Sequence, residues 1–138
     1  MKKISLVLLM FLCAFYVLPS GASEAFTLIG VAELEGFMKT DQNAIHIYDA
    51  NNDSTRKAEG MIPTAQALAS SSHYDVATLP KDKDSKVVFY CANTQCMASH
   101  DAAKVAAKAG YKKVFVMADG IQGWKKAGKT TQKFDQKG

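Results

Sequence analysis

Residues 85–111 read SKVVFYCANTQCMASHDAAKVAAKAGY, and the order of patterns within them sets the fold class. Val87 to Tyr90 is an unbroken apolar run, as expected of a strand covered on both faces in a parallel sheet. Ala98, Ala102, Val105, Ala106 and Ala109 recur at helical spacing and predict a helix over 98–109, with Gly110 as its C-cap. Val114 to Met117 is the next apolar strand. Ile121 to Lys126 follows as a short helix containing Trp124. Strand, helix, strand, helix predicts βαβ units: an α/β domain whose parallel sheet carries helices on both faces.

Upstream, Val31 to Lys39 reads as a helix with Leu34, Phe37 and Met38 on one side. Ala44 to Asp49 alternates and reads as a strand, in which His46 is a packed residue. A short helix is expected over Thr55 to Glu59, ended by Gly60. Ala65 to Leu68 is a brief strand, and Ser70 to Ser72 a loop. Lys81, Lys83 and Lys86 read as a solvated turn, and Trp124 and Phe115 as core. Residues 129–138 form a polar tail, expected to fray.

The 138 residues allow one domain. Residues 1–22 carry the three parts of a secretory signal peptide. Lys2 and Lys3 are basic, Ile4 to Leu18 is apolar, and Pro19 to Ala22 is a small-residue cleavage site. The apolar run falls short of the ~20 residues that span a bilayer, so export with cleavage is expected, not a lasting membrane anchor. Cys13 leaves with this segment. The expected mature unit is 23–128 plus the tail, in an oxidising compartment such as the periplasm. Formal charge is +4, and loss of Lys2 and Lys3 leaves +2, too weak a field to argue for nucleic acid. The 17 basic residues include a single arginine, Arg56, although planar recognition of phosphate is usually arginine work.

The chemistry centres on Cys91. Ligands of open parallel sheets bind beyond the carboxyl ends of strands, and Cys91 ends one. The following loop, Ala92, Asn93, Thr94, Gln95, Cys96 and Met97, leads into a helix N-terminus. Backbone N–H groups there favour an anion and thereby a nucleophilic thiolate. Without that chemistry, Cys91 is simply a small buried hydrophobe.

Tyr90-Cys91, Ala102-Ala103, Gly110-Tyr111, Val114, Gly120-Ile121-Gln122-Gly123-Trp124 and Ala127-Gly128 resemble, in order and spacing, the rhodanese-like domain. Gly60-Met61-Ile62-Pro63-Thr64-Ala65 is similar to that family's Gly-His-Ile-Pro-Gly-Ala element, and Ile47-Tyr48-Asp49 to its strand ending in Asp-x-Arg. The resemblance covers about residues 26–128. It implies a rhodanese-like fold: a five-stranded, mainly parallel sheet flanked by helices. It also implies sulfur transfer without a cofactor. Cys91 would take sulfane sulfur from a small-molecule donor as a persulfide, held by the loop N–H groups, and pass it to a thiol or other nucleophile.

This sequence departs from the family at three places. Cys96 stands where many members carry a basic residue, and no charge lies between Cys91 and Asp101, so thiosulfate is expected to be a poor donor. The longer loop resembles the phosphatase and arsenate-reductase branch. That branch needs an arginine where Met97 stands, so phosphatase chemistry is not expected. Asn51 replaces the arginine of Asp-x-Arg, so Asp49 is expected to lose its ion-pair partner.

Cys96 has three readings: a resolving thiol that forms a disulfide with Cys91, a packing residue under the helix, or part of a soft-metal cluster with Cys91, Met97 and His100. His100 is an accessory candidate as a general acid, and Asp49 a second accessory. Ser99 reads as helping to satisfy the helix N-terminus. The alternatives to a sulfurtransferase are a thiol–disulfide redox protein using Cys91 and Cys96, or a non-enzymatic rhodanese-like module that binds a soft metal or a protein.

Overall fold

The computed structural model describes residues 25–135. The segment expected to be a signal peptide, residues 1–22, and the last three residues of the tail lie outside them. In chain order the elements are β1 (Thr27–Ile29), α1 (Val31–Thr40), β2 (Ile45–Asp49), α2 (Asp53–Glu59), β3 (Gln66–Ala67), a single 3-10 turn (Val76–Thr78), β4 (Lys86–Tyr90), α3 (Ala98–Lys108), β5 (Lys113–Met117) and α4 (Gly120–Lys126). The five strands form one sheet in the order β1-β5-β4-β2-β3. Every pairing is parallel. Among the described residues, no helix is long and apolar enough to cross a membrane.

The apolar run of β4 explains its central place. Val87, Val88, Phe89 and Tyr90 are all fully buried, because alternate side chains enter two cores. Val87 and Phe89 join Tyr48, Val114, Val116 and the Ala102, Ala103 and Ala106 face of α3. Val88 and Tyr90 point the other way, to Ile47, Ile62, Met117, Leu34 of α1, and Ile121 and Trp124 of α4. Each such side chain contributes about 1.5–3 kcal/mol by leaving water. Cys91 continues the alternation and falls on the α3 side.

Asp49 is fully buried on the opposite side and is the polar centre of that core. Tyr90 Oη donates to its Oδ2 at 2.6 Å, and the Asn51 N–H donates to Oδ1 at 2.7 Å. Contrary to the sequence reading, Asp49 keeps an ion-pair partner. Arg56, one turn into α2, brings Nε within 3.4 Å of Oδ1. Arg56 Nη2 donates to the carbonyls of Asp49 and Leu68, both at 2.8 Å, and Nη1 to Asp53 Oδ1 at 2.8 Å. The helix supplies the cation that the Asp-x-Arg position lacks. Burial pushes the Asp49 carboxyl up, against the hydrogen bonds from Tyr90 and Asn51 and the Arg56 charge. Burial, then the Asp49 charge, pushes the Tyr90 phenol far above its ordinary range, so it remains a donor.

Three segments differ from expectation. Thr27–Ile29 is a strand paired with β5, in a segment to which the sequence pattern assigns no element. The tail is pinned as far as Phe134. Met61 and Gln132 exchange backbone hydrogen bonds, Trp124 Nε1 donates to the Thr130 carbonyl at 2.8 Å, and Phe134 packs on the second core. Lys86 belongs to β4, pairs with Asp41 and lies over the Phe37 ring, so it is not a solvated turn residue.

Arg56→Ala is expected to lower unfolding stability by about 3–5 kcal/mol, since it leaves a buried carboxylate unpaired. Tyr90→Phe is expected to cost about 1–3 kcal/mol. Urea denaturation of both variants measures the difference.

Candidate active site

Cys91 is the first residue past β4 and is 1% exposed. Its sulfur is joined to that of Cys96 in a disulfide, with the two Cα atoms 6.3 Å apart. That separation falls within the usual disulfide range. Cys96 is half-buried, while Thr94, Gln95 and Met97 are exposed. The disulfide is the bond that the resolving-thiol reading requires, and Cys96 also packs against the α3-side core, as the packing reading expects.

Two oxygens lie against the Cys91 sulfur. Ser99 Oγ, 1% exposed at residue level, is 3.3 Å away and can donate its proton. The Cys96 carbonyl oxygen is 3.2 Å away and can only accept. Sequence reasoning gave Ser99 to the helix terminus, but the N-cap of α3 is Met97, with no side-chain cap bond. The helical period turns Ser99 inward, onto the sulfur. His100 stands next to it, with Nδ1 3.5 Å from Ser99 Oγ and its ring edge-on to Phe26 at 5.4 Å.

The anion cradle expected of residues 92–97 is not formed in this closed loop. Among the described residues, no backbone N–H is hydrogen-bonded to the Cys91 sulfur. Asn93 takes two of the loop's donors instead. Its carbonyl accepts from the Cys96 N–H at 3.1 Å, and its Oδ1 from the Gln95 N–H at 3.0 Å.

The loop is rooted on α4. The Ile121 and Gln122 N–H groups donate to the carbonyls of Cys91 and Ala92 at 2.9 and 3.0 Å, and Asn93 Nδ2 donates to Gln122 Oε1 at 3.2 Å. Gly120 makes this approach possible. Its φ is +65°, and a Cβ there would stand 2.4 Å from the Ala92 carbonyl carbon. Such contact admits no side chain.

Asp49, the second accessory candidate, lies on the far side of the sheet from Cys91, in the buried network with Tyr90 and Arg56. Among the described residues, no three His, Cys, Asp or Glu side chains are placed to hold a metal. With the disulfide closed, neither cysteine offers a thiolate to one.

Beside Cys96 opens a cavity of about 460 Å³, bounded by the ends of β2 and β3, the start of α2 and the loop. None of its lining side chains is charged. The sequence had marked its Ser70 and Ser71 only as loop residues.

A family model for the rhodanese-like domain matches residues 31–127. No curated protein matches the chain. Among solved structures, the chain is similar to a Rhodopseudomonas palustris protein of unknown function described as a possible tyrosine phosphatase, with TM-score 0.65 and 23% identity over 78% of this chain and 86% of that one. It is similar to the rhodanese-like domain of an Anabaena protein, with TM-score 0.60 and 21% identity over 78% and 79%. It is also similar to the polysulfide-sulfur transferase homodimer of Wolinella succinogenes, with TM-score 0.63 and 15% identity over 82% of each. At these identities the likeness is one of fold.

Gly120→Ala is expected to cost about 1–3 kcal/mol and to detach the loop from α4, read as lost stability together with faster exchange of the Ile121 and Gln122 amides. In the reduced protein, Ser99→Ala is expected to slow iodoacetamide alkylation of Cys91 roughly tenfold, by removing a hydrogen bond to the thiolate.

Proposed function

Because the chain belongs to the rhodanese-like domain family, we propose that it is a sulfurtransferase that carries sulfane sulfur on Cys91. The observation that carries this reading is the Cys91 sulfur itself. It lies just beyond the end of the central strand, under a buried Ser99 hydroxyl and within bonding reach of a second cysteine. The Cys91 thiolate attacks the outer sulfur of a donor R–S–S⁻. The donor's S–S bond breaks, Cys91 becomes Cys–S–S⁻, and R–S⁻ leaves. An acceptor thiolate then takes the outer sulfur and restores the Cys91 thiolate.

Cys96 resolves the persulfide when no acceptor arrives. The Cys96 thiol gives its proton to the outer sulfur as its own sulfur attacks Cys91 Sγ; the S–S bond of the persulfide breaks, the Cys91–Cys96 disulfide forms, and HS⁻ departs. In this cycle the disulfide is the closed, discharged state. Loading follows its reduction, which frees the loop to turn N–H groups toward the sulfur. The loop has no cationic side chain between Cys91 and Asp101, so a singly charged persulfide or polysulfide is a better donor than dianionic thiosulfate. Export through residues 1–22 would place the protein where thiols and disulfides interconvert. The disulfide also favours a second reading, a thiol–disulfide exchange protein that uses the same pair.

Intact-mass analysis of the reduced protein tests the choice. Exposure to a glutathione persulfide donor is expected to add one sulfur on Cys91 in Cys96→Ser, which cannot resolve the persulfide, and none in Cys91→Ser, and thiosulfate is expected to load Cys96→Ser at least tenfold more slowly. No sulfur gain in Cys96→Ser, with the wild type losing two hydrogens, would sink the transferase reading in favour of the redox one.

A further inference from the structure

A buried thiol that serves as a nucleophile needs somewhere to put its proton. Cys91 and Ser99 are each 1% exposed, so solvent scarcely reaches the sulfur directly. Two oxygens touch that sulfur. The Cys96 carbonyl, at 3.2 Å, accepts a hydrogen bond but takes no proton away. The Ser99 hydroxyl, at 3.3 Å, can both accept and donate. Beyond Ser99 Oγ stands His100 Nδ1 at 3.5 Å, a long contact of the kind that tightens when a proton is shared. His100 is half-buried, and its ring is set edge-on against Phe26. The start of α3 thus puts one residue onto the sulfur and the next at the boundary with solvent.

We propose that Cys91, Ser99 and His100 form a proton relay in the reduced protein, with His100 a positioning residue that acts on the sulfur through Ser99. The inference rests on the reading of Cys91 as the nucleophile. Before the transfer, the Cys91 S–H donates to Ser99 Oγ, and the Ser99 O–H donates to Nδ1 of a neutral ring protonated on Nε2. In the transfer, the Ser99 proton passes to Nδ1 and the Cys91 proton passes to Ser99 Oγ. One S–H and one O–H bond break, one O–H and one N–H bond form, and nothing is oxidised or reduced. The products are a thiolate that accepts from the Ser99 O–H and a cationic ring whose Nδ1–H donates to Ser99 Oγ. The half-buried ring then exchanges a proton with water. The groups around the relay do not substitute for it. The loop has no charged side chain between Cys91 and Asp101. From outside α3 the ring meets Phe26, which carries no charge. On α3, Asp101 and Lys104 pair with one another at 3.5 Å. Tyr48, Tyr74 and Tyr111, in the same core as Cys91, each donate to a backbone carbonyl and so keep their protons. The other titratable group at the sulfur is Cys96.

The test follows iodoacetamide alkylation of Cys91 against pH, with peptide mapping, in reduced protein carrying Cys96→Ser, which removes the neighbouring thiol. Adding His100→Gln is expected to raise the midpoint of the profile by about one pH unit, because the amide still accepts from Ser99 but takes up no proton. Ser99→Ala is expected to raise it likewise, and His100→Gln on top of Ser99→Ala to move it no further. A contact that only holds the loop would change the plateau rate and leave the midpoint in place. An unmoved midpoint in His100→Gln overturns the relay. An equal shift from His100→Gln with and without Ser99 also overturns it, since the ring would then act through space. Sulfur loading by glutathione persulfide is measured separately on the same proteins. If loading of Cys91 fails while the profiles shift as expected, the transferase reading falls and the relay stands; normal loading with an unmoved midpoint does the reverse.

Discussion

A buried carboxylate has to be answered from several directions at once, and the answer to Asp49 ties this domain together. Its partners come from β4, through the Tyr90 phenol, from α2, through Arg56, and from its own following turn, through the Asn51 N–H. Arg56 in turn takes the Leu68 carbonyl just past β3, and Tyr90 accepts from the Ile62 N–H at 3.0 Å. A single charge thus sets the mutual positions of two strands, a helix and the Met61–Pro63 crossing. Removing one partner would leave an uncompensated charge in the core, which is why such networks hold their geometry closely.

That constraint reaches the site through one residue. Tyr90 is held on the Asp49 side, so the pleat turns Cys91 to the other face, under α3. The same pleat keeps Asp49 away from the sulfur and gives it a structural role. From the other direction, α4 holds the backbone of Cys91 and Ala92, and Gly120 lets the two segments touch. The sulfur is therefore fixed from below by the sheet and from the side by α4, while the middle of the loop, Thr94 and Gln95, faces solvent.

The surroundings of the sulfur pair are neutral. A hydroxyl and a carbonyl touch Cys91, and uncharged side chains line the cavity beside Cys96. The one arginine, the side chain best suited to grip an oxyanion, is spent on Asp49. The proposed sulfur chemistry would therefore rest on covalent exchange and short-range hydrogen bonds more than on long-range attraction.

The sequence by itself determined the class of fold and the place of Cys91 at the end of its central strand. An apolar run that ends in a cysteine and leads to an alanine-spaced helix has one low-energy arrangement, a buried parallel strand with its crossover helix. Strand and helix patterns are local and survive in one dimension. The rest needed the tertiary structure. Thr27–Ile29 is a three-residue edge strand with one buried side chain, too short to show a period. The tail is held by backbone bonds and by Phe134, which composition does not reveal. Arg56 reaches Asp49 because a turn and a helix start intervene, and only the folded geometry closes that gap. The direction of Ser99 and the unequal exposure of Cys91 and Cys96 likewise arise where separate segments meet. Such features depend on long-range packing, and residue order carries no signal of them until the chain has folded.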